Sequence, residues 1–155
     1  MECPTARSLE VVGEWWSLLI LRDAMRGRRR FEEFQESLGI ARNILSRRLK
    51  RLVAAGLLEK RLYAERPRRH EYRLTDKSRD LFAVLTALAA WGNRWAAPAK
   101  GPAMVLIDRE TGKPIEPVLV DRSSGKPLHR GNVGLAPGPG AGPETRALLA
   151  SLKPH

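Results

Sequence analysis

Residues Arg30 to Leu74 read RFEEFQESLGIARNILSRRLKRLVAAGLLEKRLYAERPRRHEYRL, and this stretch decides the fold of the chain. Apolar spacing and turn residues predict a short helix, a turn at Gly39, a basic helix from Ala41 to Ala55 and a β-hairpin with its loop at Glu65 to Arg69. This order is typical of a winged helix-turn-helix, in which one helix enters the major groove of duplex DNA and the hairpin, or wing, contacts phosphates.

The predicted basic helix has an apolar side and a cationic side. Leu45, Leu49 and Leu52 recur at helical spacing, so we expect them in the core. The other side carries polar and cationic side chains that can reach base edges or phosphates, namely Arg42, Asn43, Ser46, Arg47 and Lys50. The wing adds three further cations, Arg66, Arg68 and Arg69. These eight residues are the predicted DNA-binding surface.

The basic charge of the chain is concentrated in the same region. The net charge is +11, and the segment from Arg42 to Arg73 holds 11 basic residues against 3 acidic ones. Scattered cations are usually only a solvated surface, but cations gathered on a predicted helix and wing favour a polyanionic partner. We therefore expect double-stranded DNA as the partner.

Composition argues against several other classes of protein. Cys3 is the only cysteine, which excludes an intrachain disulfide and a cysteine-based metal site and makes the reducing cytoplasm the natural compartment. No leader-like segment and no run of about 20 apolar residues occurs, so we expect neither export nor a membrane span. The sequence has no phosphate-binding Gly-rich loop, nucleophile pair or acid pair, and we predict no enzyme, cofactor or metal.

Two helical segments flank the central stretch. Residues 8–26 have the apolar spacing of one helix, interrupted or bent near Gly13. Thr75 is a suitable N-cap for a long second helix that carries Leu81 and a longer apolar stripe. The stripe exceeds what a small domain buries, which indicates a partner subunit or an aromatic effector pocket. Residues assigned to this interface or pocket are Trp16, Leu85, Leu88, Trp91 and Trp95.

The composition changes near residue 98, so we predict two domains. Residues 1–97 form the winged helix-turn-helix and dimerisation domain, and residues 98–155 form a linker, a small β-appendage and a Gly/Pro-rich tail. The appendage contains a repeat offset by 13 residues, VLIDRETGKPI from Val105 and VLVDRSSGKPL from Val118, and predicts three or four short strands. The predicted fold class is α+β, mainly α with a small β part. A short helix is expected from Pro143 to Leu152.

Five segments together resemble the HxlR-type winged helix-turn-helix transcriptional regulators of bacteria and archaea. They are Cys3-Pro4, GEWWSLLILRDAMRG (Gly13 to Gly27), RRFEEFQESLGI (Arg29 to Ile40), ILSRRLKRLVAAGLLEKR (Ile44 to Arg61) and PRRHEYRLTDKSRDL (Pro67 to Leu81). The resemblance covers about two thirds of the chain. It implies a homodimer, formed largely by the N-terminal and C-terminal helices, that binds a palindromic operator near a promoter. It assigns the recognition helix to Ala41 to Ala55 and the wing to Glu65 to Arg69.

The chain departs from the family pattern at several positions. Ala41 replaces the usual Ser or Thr and cannot cap the recognition helix through its side chain. Arg47 replaces a frequent Gln, which favours guanine in the operator. Some relatives sense oxidants or electrophiles through a cysteine near Cys3, which makes this thiol a candidate redox sensor. Residues 101–155 extend beyond the minimal family and lack the cysteines of the zinc-ribbon knuckles that their turns resemble.

The sequence therefore predicts a sequence-specific DNA-binding regulator, with repression favoured over activation. Two alternatives stay open: a winged helix that binds proteins, and a sequence-neutral architectural DNA-binding protein. The cationic helix face argues against the first. The second shares the charge pattern and differs only in specificity.

Overall fold

The computed structural model describes residues 3–152 of the chain. The described residues form two compact units, one from Pro4 to Ala89 and one that contains Cys3 together with residues 90–152. We call them the N-terminal and the C-terminal unit. The division falls upstream of residue 98, where the composition changes, because the end of the last long helix groups with the residues that follow it. None of the helices within residues 3–152 is long and apolar enough to cross a membrane.

The N-terminal unit begins with two helices, α1 (Pro4–Val12) and α2 (Trp15–Met25). The sequence predicted an interruption or a bend near Gly13, and the structure has an interruption there, so that residues 8–26 belong to two helices. The amide of Gly13 donates to the Leu9 carbonyl at 2.8 Å and closes α1. A Cβ atom at position 13 would lie only 2.4 Å from that oxygen, so the tight passage between the helices requires glycine.

The helix-turn-helix follows as α3 (Phe31–Leu38) and α4 (Arg42–Ala54). Gly39 ends α3 in the left-handed conformation, with φ 59° and ψ 23°, which glycine adopts without steric cost. Both helices agree with the sequence prediction to within a residue or two at their ends.

The wing is the antiparallel pair β1 (Leu58–Ala64) and β2 (Arg69–Leu74), as predicted. The pairing is regular from Leu58 opposite Leu74 to Leu62 opposite His70, and a bulge then separates Leu62 from Ala64. Arg30 forms an isolated bridge to Glu71, and the amide of Tyr72 donates to the Arg29 carbonyl at 2.7 Å. The residues just before α3 therefore lie along the outer edge of the wing.

The core of the N-terminal unit lies between α2, α3, α4 and the start of the wing. Leu45, Leu49 and Leu52 are buried, which confirms the predicted apolar side of α4. They pack with other buried residues, namely Val12, Ile20, Leu21, Ala24, Phe34, Ile40, Leu57 and Leu58. Burial of one such side chain contributes about 1.5 to 3 kcal/mol, so this cluster is the main source of stability of the unit.

The predicted long helix after the wing is in fact two helices, α5 (Asp76–Arg79) and α6 (Phe82–Trp95). Thr75 caps α5 as expected, since its Oγ1 atom accepts from the Ser78 amide at 3.3 Å. The Ser78 hydroxyl donates back to the Thr75 carbonyl at 2.9 Å and is fully buried. This local exchange of hydrogen bonds closes α5 after one turn.

The C-terminal unit contains two similar tight turns followed by α7 (Pro143–Ser151). In the first turn the Asp108 amide donates to the Lys113 carbonyl at 2.9 Å, and in the second the Asp121 amide donates to the Lys126 carbonyl at 2.9 Å. Among residues 96–152 we find single bridges, Ile107 to Pro114 and Val120 to Pro127, and not the three or four strands predicted. The Ile115 amide donates to the Leu106 carbonyl at 2.9 Å and the Leu128 amide to the Leu119 carbonyl at 2.8 Å, and the pairing of each turn extends to no strand among these residues. The short terminal helix is confirmed with Pro143 at its start.

Candidate nucleic-acid interface

Some arginines of α4 contact other elements of the protein, and others are exposed to solvent. Arg48 pairs with Glu14 at 2.9 Å, and the contact is an ion pair without the alignment of a hydrogen bond. Arg51 Nη2 donates to the Glu10 carbonyl at 2.7 Å. These two side chains fasten α4 to α1 and to the start of α2. Arg42, Arg47 and Lys50 are exposed and have no ion pair within the described residues.

The first turn of α4 lacks the usual side-chain cap. Ala41 precedes it and provides no side-chain acceptor, as expected from the sequence. The Oδ1 atom of Asn43 accepts from the Ile44 amide at 2.8 Å instead. The Asn43 side-chain amide nitrogen is then the atom left to donate to a base, while a two-pronged contact to adenine would require Oδ1 to release Ile44.

The two acidic residues of the wing strands are each paired with a neighbouring arginine. Glu59 accepts from Arg61 at 2.7 Å, and Glu71 accepts from Arg73 at 2.6 Å. The remaining wing cations form no ion pair within residues 3–152; they are Lys60, Arg66, Arg68 and Arg69. The charge available to a phosphate therefore lies at the wing tip and on Lys60.

Two adjoining hollows lie between α4, the start of α3 and the wing. The larger has a volume of about 600 Å³, and we call it the basic cleft. Five cations line it: Arg30, Arg42, Lys60, Arg68 and Arg69. The smaller, of about 460 Å³, is lined by Arg42, Ser46, Lys50 and Lys60 among others. Arg42 and Lys60 belong to both hollows. Helix α4 and the wing therefore present one continuous cationic surface.

Aromatic rings hold two of these arginines in place. The guanidinium of Arg42 lies 4.9 Å from the centroid of the Phe31 ring, and that of Arg30 lies over Tyr63. A cation over an aromatic face gains about 0.5 to 1 kcal/mol at an exposed site, which restricts the side chain without neutralising it. Glu33 is one of the acidic residues at the basic cleft. Its carboxylate accepts from the Arg29 and Arg30 amides at 2.7 and 3.0 Å and caps the start of α3.

The structure brings together five of the eight predicted DNA-binding residues at these hollows. Arg42, Ser46, Lys50, Arg68 and Arg69 line one or both of them, while Asn43, Arg47 and Arg66 do not.

 The other three residues are exposed, Asn43 and Arg47 on α4 and Arg66 at the wing tip.

Two cations of the basic cleft, Arg30 and Lys60, are not among the eight predicted DNA-binding residues. Arg30 reaches the cleft because its bridge to Glu71 places it beside β2. Lys60 lies opposite Tyr72 in the hairpin, and its two neighbours in β1, Glu59 and Arg61, form an ion pair with each other. The period-two alternation of β1 was the available signal for Lys60, whereas nothing in the sequence indicated the bridge made by Arg30.

The positive charge of the basic cleft affects the pKa of His70. Its pKa lies below the usual 6.5 because of desolvation, and the nearby Lys60 and Arg68 lower this pKa further. A phosphate bound beside Lys60 and Arg68 would offset the part of this lowering that their charges cause.

The residues predicted for an interface or effector pocket separate into two groups. Trp16 and Leu85 pack against the core of the N-terminal unit, and Trp16 stacks on Trp15 with ring centroids 4.0 Å apart. Leu88, Trp91 and Trp95 are exposed on α6. Cys3, the candidate sensor, is also exposed and directly precedes α1. Within residues 3–152 no group of three His, Cys, Asp or Glu side chains is placed to hold a metal ion.

Comparison with known proteins decides the family. The family model for HxlR-like helix-turn-helix proteins matches residues 11–100. The chain belongs to the HxlR-like helix-turn-helix family. This confirms the family resemblance, and the family is one of transcriptional regulators that bind DNA.

Relatives of this HxlR-like chain differ in how much of it they match. An uncharacterized HTH-type transcriptional regulator of Mycobacterium tuberculosis is 44% identical over 145 residues, which are 94% of this chain and 89% of the relative. The solved structure of PA1374 from Pseudomonas aeruginosa, named as a candidate transcription factor, is 46% identical with a TM-score of 0.69 and covers 94% of this chain and 99% of its own. HypR, a redox regulator solved in its reduced form, is 29% identical with a TM-score of 0.57, and 96% of it matches 61% of this chain. The first two matches span nearly the whole chain, and the match with HypR spans about three fifths of it.

Proposed function

We propose that this HxlR-like protein is a cytoplasmic, sequence-specific repressor that binds a palindromic operator as a homodimer. The observation that carries the proposal is the continuous cationic surface formed by α4 and the wing. Its cations are free of ion pairs within the described residues, and two of them are held by aromatic rings. Such a surface suits a duplex, with α4 in the major groove and the wing on the phosphates.

Base reading is assigned to the exposed residues near the start of α4. Arg47 and Asn43 lie outside the cleft and are not held by other side chains across the fold, so they can adjust to base edges. Arg47 matches guanine through two hydrogen bonds. Phosphate contact is assigned to the cleft and to the wing tip, where Arg66, Arg68 and Arg69 supply charge without sequence information.

A homodimer is supported by apolar side chains that the N-terminal unit leaves exposed. Leu9 on α1, Trp15 on α2 and Phe82 on α6 are each about 60% exposed. Exposed apolar groups of this size on helices are typical of subunit interfaces. Two copies related by a two-fold axis would present two α4 helices to successive major grooves, which is the reason for expecting a palindrome.

The proposal is tested by selecting bound sequences from a random duplex library with the purified protein. Enrichment of an inverted repeat with half-sites about 10 base pairs apart is the expected result. Binding without enrichment would support the architectural alternative, and no binding would support the protein-interaction alternative. Transcription in vitro from a promoter that carries the selected operator then distinguishes repression from activation.

Regulation through Cys3 is a further part of the proposal. It is supported by the exposure of the thiol and by the similarity to HypR, which is named a redox regulator. Operator affinity measured with reduced and oxidised protein, with Cys3→Ser as the control, tests it. Equal effects of oxidant on both proteins would contradict a sensing role. A small-molecule effector at the exposed tryptophans of α6 is the alternative source of regulation.

A further inference from the structure

The C-terminal unit has no buried core among its described residues. From residue 90 to residue 152 every residue is exposed or only partly buried. Trp95, Val118 and Leu119 are 71%, 70% and 60% exposed. Small units bury the smallest share of their surface and depend on every apolar contact, and isolated hairpins are marginal in water. A partner is therefore needed to cover this apolar surface.

The polar groups of the two turns are satisfied within the turns themselves. Asp108 accepts from the Glu110 and Thr111 amides at 3.0 and 2.7 Å. Asp121 accepts from the Ser123 hydroxyl at 2.6 Å and from the Ser124 amide at 3.0 Å, and these bonds lower its pKa to about 2. The turns are therefore closed, and the apolar residues that flank them remain available.

A cleft of about 500 Å³ lies between the end of α6 and the first turn. Its apolar wall consists of Trp91, Trp95, Pro102, Val105, Ile115 and Pro117. Asn93 Nδ2 donates to the Met104 carbonyl at 2.9 Å, and Arg94 pairs with Glu116. Because the polar groups at the cleft are already paired with each other, its occupant is expected to be apolar.

A second copy of the unit fits these requirements. Residues 101–155 hold 7 basic and 5 acidic side chains, so two copies repel each other little and attract a polyanion little. Seven large apolar side chains that each lose about 100 Å² of exposed area would bury roughly 700 Å², near the roughly 800 Å² per partner of a standard interface. The second repeat supplies apolar residues 118–120, which are outside the cleft lining and thus available to another copy.

We propose that the C-terminal unit is a second dimerisation element, in which the apolar cleft of one copy is covered by the C-terminal unit of a second copy. In a two-fold dimer the contact occurs twice, because each copy offers both a cleft and an exposed second repeat. The proposal rests on the proposed homodimer and assigns part of its interface to the C-terminal unit.

The test uses the full chain and three charge-matched variants. Leu119→Glu alters the second repeat, Val105→Glu alters the cleft wall, and Leu135→Glu alters a residue that is 78% exposed in the Gly/Pro-rich segment outside the cleft. We expect the first two to raise the dimer dissociation constant about 10-fold or more and Leu135→Glu to leave it unchanged, as measured by sedimentation. Hydrogen exchange at residues 104–120 should slow as the wild-type concentration rises through the dissociation constant.

The outcomes separate this inference from the proposed function. A wild-type dimer with an unchanged dissociation constant in both variants, and with exchange independent of concentration, would overturn the inference alone. A wild-type chain that is monomeric at every concentration would overturn both. Since the altered side chains are at least half exposed, the substitutions bury no charge in the monomer, and an unchanged thermal unfolding transition would verify this.

Discussion

The guanidinium of Arg30 lies 4.8 Å from the centroid of the Tyr63 ring. Tyr63 is the residue at the bulge of β1, and Arg30 immediately precedes α3. The contact therefore joins the start of the helix-turn-helix to the wing at the rim of the basic cleft. The bulge turns the Tyr63 ring toward Arg30, and the ring leaves the arginine charge available to a phosphate.

Arg30→Gln should weaken binding to every duplex and lower the slope of log affinity against log salt by about 1. Tyr63→Leu should have a smaller effect in the same direction, because the charge stays but its position is less restricted. Arg61→Gln is the matched control, since Arg61 already pairs with Glu59. Fluorescence anisotropy over a range of salt concentrations measures all three. An Arg30 variant with the slope of the control would remove Arg30 from the interface.

Arg47→Ala should reduce sequence preference more than total affinity. Loss of a two-pronged guanine contact costs about 1 to 3 kcal/mol of discrimination at one position. Arg68→Ala should instead weaken all duplexes alike and flatten the salt dependence. Competition between the operator and a scrambled duplex measures the difference. Operator preference left intact in Arg47→Ala would show that another residue reads the base.

Glu33→Ala should destabilise the N-terminal unit by about 1 kcal/mol at neutral pH, the usual cost of losing a helix cap. Hydrogen bonds from the Arg29 and Arg30 amides, with the charges of Arg30 and Arg28, lower the pKa of Glu33. A carboxylate with a lowered pKa stabilises the fold above its unfolded pKa and loses this effect as the pH falls through the folded value. Glu36→Ala on the same helix is the control in chemical denaturation. A loss that is independent of pH would contradict the capping role.

The pKa of His70 should rise when a duplex binds. In the free protein desolvation lowers it, and Lys60 and Arg68 lower it further. A phosphate bound beside those cations offsets their charge, so binding should take up a proton and tighten as the pH falls through the titration of His70. NMR titration of the His70 ring follows this directly, with the His129 resonance as an internal control. An unchanged pKa in the complex would place the phosphates away from Lys60 and Arg68.

The sequence was sufficient for elements whose pattern is local. The leucine spacing of α4, the glycine that ends α3 and the alternation of the wing are each set by neighbouring residues. The exposed cations of α4 followed from the same helical period, because the side that does not carry leucine must face solvent. The resemblance to the HxlR family supplied the order of these elements.

The parts that sequence reasoning did not specify depend on contacts between residues of different elements. The position of Arg30 arises from a bridge to Glu71. Gly13 indicated the break between α1 and α2, and the approach of this residue to the Leu9 carbonyl explains it. The appendage was expected to contain strands because its repeat alternates. Each turn instead makes a single bridge, Ile107 to Pro114 and Val120 to Pro127.

Helix α4 is held to the rest of the fold from its second half. Arg48 and Arg51 contact the start of α2 and α1, whereas the exposed polar residues of the first half, Asn43 and Arg47 among them, form no ion pair within the described residues. An engineer could therefore exchange these exposed side chains to redirect the protein to a new operator and leave Leu45 and the anchoring arginines unchanged. A change of operator specificity would then require substitutions at about four surface positions, and the residues that stabilise the fold would stay unchanged.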